Sequence, residues 1–152
     1  MHPLQERFES AEQDCQRYLD LLEQERDALT RQDMATLEPL LAQKRSLADA
    51  LVVHDQAIRH YCQTHNISQD QLAAHIEQAG DPQLQQGYQQ FLEALANCKQ
   101  ANDRNARLVH HSQHSTRTML DLLRNQGEPG SGIYDQLGNR SRSGITRNLS
   151  KA

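Results

Sequence analysis

Residues 84–123 read LQQGYQQFLEALANCKQANDRNARLVHHSQHSTRTMLDLL. Alternate steps of four and three from Leu84 land on Tyr88, Phe91, Leu95, Cys98, Asn102, Asn105, Val109, Ser112, Thr116, Met119 and Leu123. A rhythm sustained over the whole stretch predicts one continuous helix buried along one stripe, because a strand would repeat every second residue. The stripe is apolar at both ends and polar in the middle. Two readings of that middle stand side by side. Asn102 and Asn105 can set helix register at some cost in stability. Alternatively, Asn102, Asn105, Ser112 and Thr116 lie on a groove left open for a partner helix, which would add its own apolar stripe to Val109, Met119, Leu122 and Leu123.

Working back toward the N-terminus, Asp81 and Pro82 open this helix, predicted over 82–126, and Gly80 stops the element before it. That element is a short helix over 68–79. Ser68 and Gln71 form a capping box there, and Ile67 and Leu72 the matching hydrophobic staple. Two long helices come first, over 3–31 and 34–65. The seam of the first is Leu4, Phe8, Ala11, Cys15, Tyr18, Leu22, Glu25 and Leu29; that of the second is Leu37, Leu40, Lys44, Leu47, Leu51, His54, Ile58 and Tyr61. Asp33 is the expected N-cap of the second helix. Pro39 disturbs that reading, since a proline inside a helix loses a hydrogen bond and clashes with the preceding turn, and Thr36 is the alternative cap.

Two antiparallel helices joined by a short turn pair residues whose numbers sum to a constant. A sum of 69 sets Leu29 against Leu40, Leu22 against Leu47, Tyr18 against Leu51, Cys15 against His54 and Phe8 against Tyr61. It also sets the one acid of the first seam, Glu25, against the one lysine of the second, Lys44. An ion pair across the hairpin is therefore expected, serving register more than stability. The fold class that follows is all-α: an antiparallel bundle of three long helices and one short one over 1–126, with a flexible, Gly- and Ser-rich tail over 127–152.

Composition excludes several function classes. Hydrophobic residues make up 36% of the chain and aromatic residues 4%, with no Trp, which suits slim helices burying one stripe each better than a broad enzyme core. Net charge is −4, with the acid excess in the body and a mildly basic tail, so no nucleic-acid surface of clustered Lys and Arg is expected. Cys15, Cys62 and Cys98 cannot all pair and read as reduced core residues of a cytosolic protein. Met1 to Ser10 has no signal-peptide character, and the apolar run Ala50–Val53 is far too short to cross a bilayer. His110 and His114 have i, i+4 metal-ligand spacing, yet no carboxylate or Cys lies near enough in sequence to complete a site, and no Glu-x-x-His occurs. No metal, no cofactor and no catalytic residue is expected.

The stretch Leu21 to Leu51, LLEQERDALTRQDMATLEPLLAQKRSLADAL, resembles the hairpin of the FlgN family of flagellar export chaperones, whose Glu, Asp and Lys positions fall on Glu25, Asp33 and Lys44. Asn102 and Asn105, followed by Leu108 and Val109 and then by Leu122 and Leu123, resemble a second family segment. IYDQLGNRS, from Ile133 to Ser141, is similar to the family's tail. The chain departs from the pattern at Gln32, where a Gly often precedes the Asp, and at Pro39. The resemblance implies a cytosolic chaperone that binds the hook-filament junction proteins FlgK and FlgL, keeps them unassembled and delivers them to the type III export gate. It places substrate binding on Asn102, Asn105, Leu108, Val109, Ser112, Thr116, Met119, Leu122 and Leu123, and docking on the gate protein FlhA at Tyr134. The rival reading is a structural coiled-coil or adaptor protein without an export role.

Overall fold

The computed structural model describes residues 1–124. Helix α1 spans Pro3–Arg31 and α2 spans Met34–Thr64. A 3-10 turn, Gln69–Gln71, runs into the short α3, Leu72–Gln78, and α4 spans Pro82–Arg124. The fold is all-α, with three long helices and one short helix packed as a bundle. The chain divides between Leu108 and Val109, and the packing described next lies within Met1–Leu108.

The turn between α1 and α2 explains both departures in the hairpin. Gln32 adopts a left-handed conformation, φ 56° and ψ 37°, while the Asp33 amide reaches back to the Ala28 carbonyl at 2.9 Å. This is the Schellman closure of a helix end, and its left-handed position is where glycine is cheapest. Asp33 is the N-cap: its carboxylate accepts from the Thr36 amide at 3.1 Å and from the Thr36 hydroxyl at 2.7 Å. The Thr36 hydroxyl holds the Asp33 carboxyl below the usual carboxylate range. Thr36 thus supports the cap and does not replace it. Pro39 sits inside α2, in its second turn. Only the amide that would have met the Ala35 carbonyl is lost, so the helix continues past it.

The expected short helix is split. Ser68 and Gln71 form the reciprocal capping box, with the Ser68 amide donating to Gln71 Oε1 at 2.9 Å. The first turn after it tightens to 3-10 geometry before α3 begins. At one end of the bundle Leu4, Phe8, Ile58, Cys62, Leu72, Ile76 and Leu84 pack together with Tyr61, Ile67, Tyr88 and Phe91 against them. Near the hairpin turn Leu21, Ala28, Leu37 and Leu40 form a second cluster. Between them Cys15, Ala94 and Cys98 meet, covered by Tyr18, Leu51 and Phe91.

The stripe that α4 buries differs from the four-three seam read from the sequence. Its buried residues are Leu84, Gly87, Ala94, Cys98, Ala101 and Asn105, with Phe91 half-buried. Leu84, Phe91, Cys98 and Asn105 are common to both; Gly87, Ala94 and Ala101 replace Tyr88, Leu95 and Asn102. The alternate positions are small residues, which let α4 approach α1 closely: a Cβ on Gly87 would sit 3.8 Å from Phe8 Cβ. Leu95 is left 41% exposed on the flank.

Candidate partner-binding site and the buried polar layer

The expected open groove divides at Asn105. Asn105 is 1% exposed and lies in a buried polar layer that ties three helices together. Its amide nitrogen donates to Glu25 Oε1 and to the Leu22 carbonyl, both at 2.8 Å. Lys44 Nζ lies 3.3 Å from both oxygens of Glu25, whose side chain is 5% exposed. The register sum of 69 therefore describes the hairpin at this point. On the other side Arg104 Nε donates to Asn105 Oδ1 at 3.2 Å, and Arg104 Nη1 pairs with Glu23 at 3.0 Å. A buried carboxylate is costly unless paired and hydrogen-bonded. Here Lys44 supplies the charge from α2 and Asn105 the neutral donor from α4. Asn105 is thus a structural residue of the bundle and not part of an open groove, because both of its amide hydrogens are spent inside. Asn102 is half-buried beside it.

Beyond Leu108 the character of α4 changes. Val109 is 37% exposed, Met119 57% and Leu123 56%; Thr116 is exposed, and Leu108, Ser112 and Leu122 are half-buried. Leu120 is exposed as well. Residues 109, 112, 116, 119 and 123 recur at alternating steps of three and four, so they share one helix face. Val109, Met119 and Leu123 thus leave apolar surface exposed along one face of α4. Tyr134 lies outside the described residues.

A second polar set was not read from the sequence. His54 Nε2 lies 2.8 Å from Asp14 Oδ2, and Arg7 Nη1 lies 3.2 Å from His54 Nδ1. The hydrogen bond from His54, helped by Arg17, holds the Asp14 carboxyl below its ordinary range. The register sum that sets Cys15 against His54 could have flagged Asp14 next door. The Arg104–Glu23 pair had no such signal, since its partners are far apart in sequence and on helices not joined by a short turn.

Cys15, Cys62 and Cys98 are free and buried on three different helices. The Cys98 thiol donates to the Cys15 carbonyl at 3.0 Å. The neighbouring Cys98 thiol, with burial, pushes the Cys15 thiol far above its ordinary range, which disfavours its nucleophilic form. Among the described residues no group of three or more His, Cys, Asp or Glu side chains is arranged to hold a metal ion. Among them, too, no helix is long and apolar enough to cross a membrane.

A family model described as FlgN protein matches residues 1–142 of this chain. The chain belongs to the FlgN family. FlgN proteins are flagellar export chaperones for FlgK and FlgL, and they act without catalysis. The match takes in the hairpin, the polar layer, the exposed face of α4 and the segment that contains Tyr134. Neither the search of curated proteins nor that of solved structures found a match.

Proposed function

We propose that the α4 face carrying Leu108, Val109, Ser112, Thr116, Met119, Leu122 and Leu123, with Asn102 at its edge, takes up an amphipathic helical segment of FlgK or FlgL. The observation that carries this reading is the exposure of Val109, Met119 and Leu123 at helical spacing on a single face. A secreted junction protein has apolar helical stripes that it cannot bury before it assembles. Covering such a stripe with α4 keeps the substrate unassembled, and the free energy comes from apolar surface removed from water.

We further propose that the chaperone works in the cytoplasm and delivers its substrate to the export gate by docking on FlhA through Tyr134. This rests on the likeness of the segment Ile133 to Ser141 to the family tail. Truncation after Gln126 and Tyr134→Ala test it together. Truncation is expected to leave the bundle folded while weakening binding to the gate or the substrate. Tyr134→Ala is expected to retain substrate binding and lose FlhA binding. Unchanged FlhA binding by Tyr134→Ala would remove that role from Tyr134.

A further inference from the structure

We propose that His2, Tyr61 and His75 form a pH-sensitive latch, which holds the start of α1 against α2 and α3 only while the His2 imidazole is neutral. The argument starts at the N-cap of α1. That cap is His2, whose Nδ1 accepts from the Leu4 amide at 3.1 Å. An imidazole can accept there only if Nδ1 carries no hydrogen, so neutral His2 bears its hydrogen on Nε2. Nε2 lies 3.3 Å from the Tyr61 hydroxyl. The same hydroxyl lies 2.9 Å from His75 Nε2. The first direction then follows: His2 Nε2–H donates to the Tyr61 hydroxyl, which also bonds His75 Nε2.

Protonation of His2 breaks this order. A hydrogen on His2 Nδ1 would face the Leu4 N–H, two donors toward each other, and would place a positive charge at the positive end of the α1 dipole. A third imidazole raises the cost of charge. His65 stacks on Tyr61 with ring centroids 3.9 Å apart and stands 5.9 Å from His75. The groups around His2 come from every neighbouring element. Tyr61 and His65 come from the end of α2, His75 from α3, the Met1 ammonium from the chain start, and Asp81 from the head of α4. On α1 itself Glu6 lies in the first turn, and Arg7 and His60 line the same groove as Tyr61 and His65. Asp81 alone among the groups that act on His2 favours its charged form, and its carboxylate is already committed to the Gln83 and Leu84 amides. Burial first, and then His75, hold the His2 imidazole below its ordinary value of 6.5.

The latch closes the end of the core where Leu4, Leu72 and Ile76 are sealed. As pH falls below the ordinary imidazole range, the unfolded first turn takes up a proton that the capped turn refuses. The cap is then lost and this end of the bundle opens.

The test is hydrogen exchange of the full chain at about pH 8 and about pH 5.5, corrected for intrinsic exchange, on wild type and on His2→Asn. Asparagine caps a helix without titrating, so the variant retains the cap at both values. In wild type the amides of the first turn of α1 should lose protection about fivefold at the lower pH, the effect of losing one cap. His2→Asn should lose none. Equal wild-type protection at both values, or the same loss in His2→Asn, would overturn the latch. Ring nitrogen NMR of wild type at about pH 8 gives an independent check. A hydrogen on His2 Nε2 is expected, and one on Nδ1 would overturn the proposal whatever the variant does.

Discussion

Asn105 on α4 and Glu25 on α1 are joined by a 2.8 Å hydrogen bond buried inside the bundle. The same carboxylate faces Lys44 of α2, so one acid addresses all three long helices. This geometry argues for a register device. A sliding of α4 by one residue would leave Glu25 with Lys44 alone and the Asn105 amide hydrogens without their acceptors on α1.

Asn105→Ala should therefore lower stability by about 1–3 kcal/mol, because a buried carboxylate loses a donor and a small cavity remains. Urea unfolding followed by circular dichroism measures it. In a double-mutant cycle with Glu25→Gln, the two losses should fall short of additivity by about 0.5–3 kcal/mol. FlgK binding measured well below the unfolding midpoint should be unchanged, since neither side chain reaches the exposed face.

Gln32→Gly is expected to stabilise the hairpin. The left-handed conformation of Gln32 strains any residue with a Cβ, while glycine adds entropy to the unfolded chain. The net gain should be about 0.5–1 kcal/mol, seen as a rise in Tm. A drop in Tm would mean that the Gln32 side chain contributes more than its backbone costs.

At Gly87 the direction depends on size. Alanine would place its Cβ in ordinary contact with Phe8 and gain helix propensity, so Gly87→Ala should stabilise by about 0.5–1 kcal/mol. Gly87→Leu has no room between α4 and Phe8 and should destabilise by about 1–3 kcal/mol. Thermal melts of the two variants side by side separate these effects. Equal melting temperatures would place Gly87 off the buried stripe.

Acid sensitivity should trace in part to Asp14. His54 holds its folded-state pKa below the ordinary 3.8. A carboxyl lowered on folding contributes stability that is complete above its unfolded value and lost as pH falls through the folded one. Wild type should thus lose stability below about pH 4, and Asp14→Asn should start lower but fall less steeply over that window. Urea midpoints across an acid series would show parallel curves if Asp14 played no part.

Charge on the exposed face of α4 should act on binding alone. Met119→Asp and Leu123→Asp replace side chains more than half exposed, so Tm should shift by less than about 0.5 kcal/mol in equivalent stability. Affinity for FlgK or FlgL should fall at least about tenfold per substitution, since each anchor lost is worth about 1.5 kcal/mol or more. Titration calorimetry with purified junction protein tests both halves.

Local chemistry determined a great deal of this protein. Helical period placed α1, α2 and α4, Asp33 and Ser68 announced two helix starts, and the matched oddity of Glu25 and Lys44 set the hairpin register. Such signals are legible because capping and short-turn pairing act between residues close in sequence or linked by one turn. The exposed apolar positions of α4, Val109, Met119 and Leu123, were legible as well, as apolar residues at helical spacing. Tertiary packing alone decided which side of α4 faces α1. Large apolar residues drew the seam toward Tyr88, Leu95 and Asn102, whereas close approach favours Gly87, Ala94 and Ala101, whose small size carries little sequence signal. It decided the fate of Asn105 in the same way. An asparagine in a seam reads alike as groove or as lock, and only the arrival of Glu25 and the Leu22 carbonyl from α1 makes it a lock.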